Sequence, residues 1–216
     1  MIADPRAFIL ANTSLQSPPH TPELRLHLAD EITPIWKMTE EALEELGLPP
    51  PFWAFAWAGG QAVARYLLDN PGAVAGRRVF DLATGGGIVA IAAARAGAAH
   101  VVANDVDAFC AAAVELNAEV NGVAIEVLLG DRLDGGPPEA EVIVMGDLAY
   151  EKPVAERARA WLEAARAAGR TVLIGDPGRT YFRSLGLVQL AEYQVPTTRE
   201  LEDFEVKRTG VWTFPD

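Results

Sequence analysis

The 216-residue sequence predicts an α/β fold in which a mostly parallel seven-stranded sheet carries helices on both faces. From Arg77 onward, short apolar runs alternate with helical patterns, which predicts strands at 77–82, 100–105, 125–129, 141–146 and 171–175 and helices at 86–96, 107–121 and 153–168. Strongly apolar strands such as Val142–Met145 suit a parallel sheet that is buried on both faces. The C-terminal part departs from this alternation, because the strands predicted at 187–195 and 207–214 have no helix between them. We therefore expect an antiparallel C-terminal hairpin.

The first 48 residues are predicted to form a short extension, followed by one cofactor-binding domain over 49–216. Apolar and polar residues alternate over Ala7–Asn12 and Leu24–Leu28, which favours short strands or extended arms. Thr33-Pro34 predicts the start of a helix that continues through Leu46 and ends at Gly47. After a proline run, an aromatic segment over 52–57 leads through Gly59 and Gly60 into an amphipathic helix ending near Asn70.

Charge and composition exclude several classes of protein. A net charge of −12 and a pI of about 4.7 argue against nucleic-acid binding, which depends on neutralising phosphates with Lys and Arg. An acidic surface suits a lysine-bearing partner, although many enzymes are acidic for solubility alone. The single Cys110 predicts a small buried side chain, and His20, His27 and His100 lack ligand spacing, so we expect no metal. With neither a targeting pattern nor a long apolar run, we expect a cytoplasmic monomer that does not bind membranes.

A glycine-rich turn follows the first strand of the predicted sheet. Its residues 85–90, Gly-Gly-Gly-Ile-Val-Ala, fit a dinucleotide fingerprint, and Asp105 follows at the spacing of a ribose-hydroxyl acceptor. Asp81, however, ends the preceding strand, where a carboxylate would repel a pyrophosphate. S-adenosylmethionine carries no phosphate and has a cationic amino group and a sulfonium. The sequence therefore favours S-adenosylmethionine over a nicotinamide dinucleotide, and Asp81 either contacts the amino group or caps N–H groups of the loop.

Further cofactor contacts are predicted around this turn. Asp131 follows the third strand, where its side chain can reach the adenine amino group or simply start a turn. Asp107 is expected to cap the next helix. Trp53 and Trp57 are four residues apart and would share a face if helical, either in the core or along the cofactor cleft. The predicted cofactor-binding residues are Trp53, Trp57, Asp81, Ala83, Gly85, Gly87, Asp105, Asp131 and Asp147.

With these segments in view, the chain resembles the lysine methyltransferases that modify the β-subunit of electron transfer flavoprotein. The resemblance rests on residues 51–57 with Gly59-Gly60-Gln61, on 81–87, 104–107 and 146–151, and on 173–179 and 195–202. It implies a Rossmann-like class I methyltransferase fold, S-adenosylmethionine as cofactor and the flavoprotein β-subunit as partner and substrate. Two positions depart from the family pattern. Ala83 replaces a common loop glycine, and Ala149 replaces an aromatic residue, which would widen the acceptor site.

Catalytic roles are predicted for Asp147, Tyr150 and Glu151. The two carboxylates would capture and orient an amine, and Tyr150 would hydrogen-bond to it. The alternatives are a turn residue for Asp147 and a helix N-terminal charge for Glu151. Asp176 ends the fifth strand at the ligand-binding edge of the sheet and is expected to face the substrate.

Two other functions stay open, a small-molecule amine N-methyltransferase and a non-catalytic cofactor-binding module. The acidic residues from Arg199 to Glu205 predict a solvated loop or a docking site for a basic partner loop.

Overall fold

A computed structural model of the chain describes residues 4–30, 35, 38, 43, 50–182, 184, 186–197 and 205–215. Apart from three single positions, the helix predicted from Thr33 to Leu46 lies outside the described residues. The same is true of the charged cluster over 199–205, except for Glu205. In the parts of the chain that are described, no helix combines the length and apolarity needed to cross a bilayer.

The chain begins with a helix where a strand was predicted. Helix α1 spans Pro5–Asn12, and the Asp4 carboxylate accepts a hydrogen bond from the Ala7 N–H at 3.0 Å. The prediction of an extended arm at Ala7–Asn12 was wrong because the Asp4-Pro5 pair is a helix-start signal that outweighs the apparent alternation. Strands β1 (Ser14–Gln16) and β2 (Leu26–Leu28) then pair antiparallel as a small separate sheet.

The remaining elements follow the predicted order closely. A short 3₁₀ turn at Phe52–Ala54 precedes helix α2, and a second one at Pro71–Ala73 follows it. The helices are α2 (Ala58–Asp69), α3 (Ile88–Arg95), α4 (Ala108–Asn121) and α5 (Lys152–Ala167). The strands are β3 (Arg78–Leu82), β4 (His100–Asp105), β5 (Glu126–Leu129), β6 (Val142–Met145), β7 (Thr171–Asp176), β8 (Val188–Pro196) and β9 (Val206–Thr213).

Strands β3 to β9 form one seven-stranded sheet in the order β5-β4-β3-β6-β7-β9-β8. The first five of these are parallel, and β9 inserts antiparallel between β7 and β8. The predicted fold class and the C-terminal hairpin are confirmed. The strand order runs outward in both directions from β3 and β6, so their carboxyl ends flank the crevice in which open α/β sheets bind ligands.

Strand β6 shows how the sheet is buried on both faces. Val142 and Val144 pack on one face with α2 and α3, whereas Ile143 and Met145 pack on the other face with α5. Because successive side chains of a strand point to opposite faces, a wholly apolar strand requires cover on both sides. This cover leaves the carboxyl edge of the sheet as the place for polar chemistry.

Candidate active site

A cavity of about 560 Å³ opens at the carboxyl edge of β3, β4 and β6. Its walls come from the loop after β3, the ends of the neighbouring strands, the aromatic segment before α2 and strand β2. Among the predicted site residues, those lining it are Trp57, Asp81, Ala83, Gly85, Asp105, Asp131, Asp147 and Tyr150. The fold therefore gathers most of the predicted side chains around one cavity, although they span nearly 100 positions of sequence.

Four N–H groups of the loop after β3 and of the first turn of α3 already have partners within the protein. Two donate to carboxylates, Gly85 to Asp105 at 2.9 Å and Ala90 to Asp81 at 3.0 Å. Two donate to carbonyls, Thr84 to Asn104 at 2.9 Å and Gly87 to Thr84 at 3.0 Å. A pyrophosphate site needs such groups free and aimed at the ligand. This loop instead presents carboxylates to the cavity, which fits a cationic cofactor without phosphates and does not fit a dinucleotide.

Asp81 is buried and has one oxygen to spare. Its Oδ2 accepts hydrogen bonds from the Thr84 hydroxyl at 2.6 Å and from the Ala90 N–H. Its buried Oδ1 has no hydrogen-bond partner among the described residues, and Asp81 lines the cavity. Burial raises the pKa of the Asp81 carboxyl to about 7. Asp81 thus caps the loop, as one alternative predicted, and still offers an unpaired acceptor.

The end of β4 carries the second group of polar atoms. Asp105 Oδ1 accepts from the N–H groups of Val106 at 2.8 Å and Asp107 at 3.2 Å, which fixes the orientation of the carboxylate. Asp107 caps α4 by accepting from the Phe109 N–H, which confirms its predicted role. Cys110 is buried against these acids, and burial raises the pKa of its thiol strongly, so it stays a neutral thiol.

Asp131 lies at the rim of the cavity, and the turn start, one of its two predicted alternatives, is confirmed. It lines the cavity, starts a turn by accepting from the Leu133 N–H at 2.9 Å, and pairs with Arg157 of α5 at 2.8 Å. The Arg157 hydrogen bond lowers the pKa of the Asp131 carboxyl, so it is ionised at neutral pH.

The two tryptophans of the aromatic segment do not share a face. Trp53 is 1% exposed and stacks on Phe109 in the core, at 6.0 Å between ring centroids, outside the cavity lining. Trp57 lines the cavity and donates from Nε1 to the Phe52 carbonyl at 2.9 Å. The chain is extended at Phe55 and Trp57, between the 3₁₀ turn and α2, so helical spacing does not apply. Of the two predicted alternatives, Trp53 therefore packs in the core and Trp57 lines the cleft.

Aromatic rings form one wall of the cavity. Phe52 lies 5.3 Å from Tyr150 and 6.0 Å from Trp57, and Phe55 lies 5.8 Å from Trp57, measured between ring centroids. All four line the cavity. The pKa of Tyr150 is raised, mainly by burial, so its hydroxyl stays neutral and can donate or accept a hydrogen bond.

Asp147 joins three elements beside the aromatic wall. Its Oδ2 accepts from the Gly59 N–H at the start of α2, and its Oδ1 accepts from the Arg179 guanidinium at 2.8–2.9 Å. Arg179 follows β7, and its Cζ lies 5.7 Å from the centroid of Trp57. Gly59 is required here, because a Cβ at that position would lie 2.5 Å from Asp147 Oδ2 and 2.6 Å from the Gly175 carbonyl oxygen.

Besides Trp53, four predicted positions lie away from the cavity lining. Glu151 is exposed at the start of α5, and Gly87 adopts a left-handed conformation (φ 84°) that lets the loop turn into α3. Asp176 is buried and accepts from the N–H groups of Gly178 and Arg179. Ala149 faces a separate cavity of about 290 Å³ beside α5. The expectation that Ala149 widens the acceptor site is not supported, because Ala149 does not line the main cavity.

The sequence prediction missed Asn117, which supports the loop from α4. Its Nδ2 donates to the Gly86 carbonyl at 2.9 Å, and its Oδ1 accepts from the His27 N–H at 2.7 Å. It thereby connects the glycine loop to β2, whose Leu26 and Leu28 line the cavity. The available signal was an Asn between the apolar residues Leu116 and Ala118 of a predicted helix, because a polar side chain on a buried face needs hydrogen-bond partners.

The sheet order, with an antiparallel hairpin at one edge and a loop after β3 that turns carboxylates toward the cavity, is that of the class I methyltransferases. A solved structure with this fold is the magnesium protoporphyrin IX methyltransferase of Synechocystis PCC 6803 with bound SAM. It has a TM-score of 0.53 and 17% identity, and the match covers 72% of this chain and 78% of that chain. The family model described as ribosomal protein L11 methyltransferase (PrmA) matches residues 66–173.

Sequence relatives narrow the class to a family. The electron transfer flavoprotein beta subunit lysine methyltransferase of Xenopus laevis is 40% identical over 97% of this chain and 87% of its own length. The protein of the same name from Danio rerio is 38% identical over 98% of this chain and 83% of its own length. The chain belongs to the electron transfer flavoprotein β-subunit lysine methyltransferase family, and its central part to the PrmA methyltransferase family.

Proposed function

We propose that this methyltransferase transfers methyl groups from S-adenosylmethionine to lysine side chains of the electron transfer flavoprotein β-subunit. The substrate assignment is supported by identity to the named relatives across nearly the whole chain. The cofactor assignment is carried by one observation: the carboxylates of Asp105 and Asp81 accept the N–H groups of Gly85 and Ala90, so acids stand beside the turn where a phosphate would have to bind.

The polar atoms of the cavity suit the parts of this cofactor. Asp105 is held by backbone N–H groups in a fixed orientation, which supports a role in binding the two ribose hydroxyls. The unpaired Oδ1 of Asp81 suits the cationic amino group. Asp131 at the rim suits the adenine amino group. When bound, S-adenosylmethionine supplies a methyl group on a sulfonium, which becomes a neutral thioether as the new C–N bond forms.

The residues of the chain must bring a neutral amine to that methyl group. A lysine amine with an ordinary pKa of about 10.4 costs roughly 4–5 kcal/mol to deprotonate at pH 7. The aromatic wall of Phe52, Phe55, Trp57 and Tyr150 lowers this cost by withholding water from the ammonium form. We propose that Asp147 and Tyr150 orient the amine and that water takes its proton. Glu151 has no part in this proposal, because it lies outside the cavity lining.

The extension over residues 1–48 and the domain over 49–216 are proposed to act as one unit. Leu26 and Leu28 of the extension line the cavity, and α1 packs on α4 through the Phe8–Phe109 ring contact at 5.5 Å. A truncated chain without the extension should therefore lose cofactor affinity as well as stability.

The decisive experiment incubates the purified protein with methyl-labelled S-adenosylmethionine and purified flavoprotein. Label in the β-subunit, located on lysine by mass spectrometry, is expected for the wild type. Asp105→Asn should weaken binding of S-adenosylhomocysteine about 10- to 100-fold in calorimetry, since it loses a charge-assisted acceptor. Asp69→Asn is the matched control and should bind normally, because Asp69 pairs with Arg65 on α2 and does not line the cavity. Label on free amines alone would contradict the substrate assignment, and tighter binding of NADH would contradict the cofactor.

A further inference from the structure

The ion pair of Asp147 and Arg179 lies in the wall of the cavity. The side chains are only 5% and 21% exposed, respectively, and both line the cavity. Nε and Nη2 of Arg179 both lie within 2.9 Å of Asp147 Oδ1, and the guanidinium also lies over the Trp57 ring. A partly buried pair of this kind is screened less by solvent than a surface pair. Each charge therefore changes the electrostatic potential felt by an amine in the cavity.

The sign of that potential matters for the reaction. A carboxylate alone would stabilise the ammonium form of an entering lysine and raise its pKa. Attack on the methyl group requires the nitrogen lone pair, so a bare carboxylate would hold the substrate in its unreactive form. A guanidinium bound to that carboxylate lowers the pKa of the entering lysine again. The carboxylate oxygens can still accept a hydrogen bond from the amine.

We propose that Arg179 is a positioning residue for methyl transfer, which offsets the charge of Asp147 so that an amine in the cavity releases its proton to water more readily. This role rests on the proposed function. It also gives Asp147 a fixed direction, because the Gly59 N–H and the Arg179 guanidinium hold its two oxygens.

The other charged groups nearby do not replace Arg179. Asp176, at the end of β7 before the loop that carries Arg179, has a pKa raised to about 7 by burial, and the pKa of Asp81 is raised to a similar value. Asp105 and Asp107 add negative charge at the end of β4, Asp131 is paired with Arg157 at the rim, and Glu151 lies outside the lining. Tyr150 stays neutral. Arg132 and Arg157 line the rim beside Asp131, whereas Arg179 contacts Asp147 directly.

The test measures single-turnover rates against pH for Arg179→Gln and Arg179→Lys with the flavoprotein substrate. Arg179→Gln should shift the acidic limb of the rate profile about one unit to higher pH. The rate at neutral pH then falls about tenfold, with an unchanged or lower KM for the protein substrate. Arg179→Lys keeps the charge and should remain within about threefold of wild type. Arg159→Gln is the matched control, since Arg159 also pairs with a carboxylate, Glu163, and lies 5.3 Å from the Phe214 ring, outside this cavity.

Two readouts separate this role from a structural one. Asp147→Asn combined with Arg179→Gln should return the acidic limb toward its wild-type position, because the uncompensated charge is gone. Binding of S-adenosylhomocysteine to Arg179→Gln should stay near wild type in calorimetry. An unshifted pH–rate profile in Arg179→Gln overturns the proposal, whether or not the KM for the protein substrate rises. A loss of affinity for S-adenosylhomocysteine also overturns it.

A measurement without turnover keeps this proposal distinct from the proposed function. NMR titration of the Asp147 carboxyl should give a higher pKa in Arg179→Gln than in wild type. An unchanged titration overturns the electrostatic role even if methylation occurs. Wild-type protein that fails to methylate the flavoprotein at any pH contradicts the proposed function, while the titration still decides whether Arg179 offsets the charge.

Discussion

Asn117 holds the glycine loop at its Gly86 carbonyl, 2.9 Å from its Nδ2, and binds the His27 N–H with its other polar atom. One buried amide on α4 therefore positions both the loop and β2, which form adjacent walls of the cavity. The amide satisfies one backbone donor and one backbone acceptor at once.

Asn117→Ala should destabilise the protein by about 2–3 kcal/mol, since it leaves buried backbone groups unpaired. S-adenosylhomocysteine should also bind more weakly, because the loop loses its support. Asn121→Ala is the control. It lies one turn later and bonds in the same way to the backbone of Arg25, away from the loop. Thermal unfolding and calorimetry measure the two effects, and equal losses of affinity in both variants would contradict the role of Asn117.

Asp81 should make stability fall as pH rises through the weakly acidic range. Its folded pKa of about 7 lies above the ordinary value of 3.8, so the folded state binds more protons between these limits. The free energy of unfolding should therefore decrease from about pH 4 to pH 7, by on the order of 3 kcal/mol for this group. Asp81→Asn should remove this part of the slope in urea titrations, and Asp176 should supply a similar remaining part. If the stability of Asp81→Asn depended on pH as steeply as that of the wild type, Asp81 would not be the source of this slope.

Gly59 should not tolerate a methyl group. In an open helix, Gly→Ala gains up to about 1 kcal/mol, but here the Cβ meets Asp147 and the Gly175 carbonyl. Gly59→Ala should therefore destabilise the fold by about 1–3 kcal/mol and slow methyl transfer by displacing Asp147. Gly72→Ala, with nothing within 4 Å of its Cβ, should leave the rate unchanged and should not lower stability. Denaturant unfolding compares the pair, and equal stabilities would show that the helix start can shift without cost.

Ala83 and Gly85 form a natural comparison, since both have φ of 55°. This left-handed conformation strains any side chain with a Cβ, by roughly 1–2 kcal/mol. Ala83→Gly should stabilise the protein by about 0.5–1 kcal/mol after the larger entropy of the unfolded glycine chain is included. Gly85→Ala should destabilise the protein by a similar amount. Only the backbone strain contributes there, because the nearest atom to the new Cβ lies 3.7 Å away, at an ordinary contact distance. Melting temperatures that move in the same direction for both would contradict this account.

Most of the fold could be predicted from the sequence because its signals are local. Apolar runs of strand length, a glycine turn after Asp81 and Asp105 at the end of the next strand indicate the alternating elements and their common edge. The helix α1 was missed because its start depends on Asp4-Pro5, two residues before the apparent alternation.

The cavity-lining roles depend on contacts between distant segments. Helical spacing grouped Trp53 with Trp57, but a 3₁₀ turn and an extended link place one in the core and the other in the cavity. Ala149 is adjacent to Tyr150 in sequence, yet their side chains serve different cavities. No local pattern carries this information.

The sequence by itself determined the class of fold, the acid-bearing strand ends and the preference for a cationic cofactor, since strand period and loop chemistry are written in neighbouring residues. Only the tertiary structure decided that Arg179 binds Asp147 and that Asn117 supports the loop. Those contacts join residues 31 or more positions apart, and they form only when packing of the sheet and helices brings the segments together.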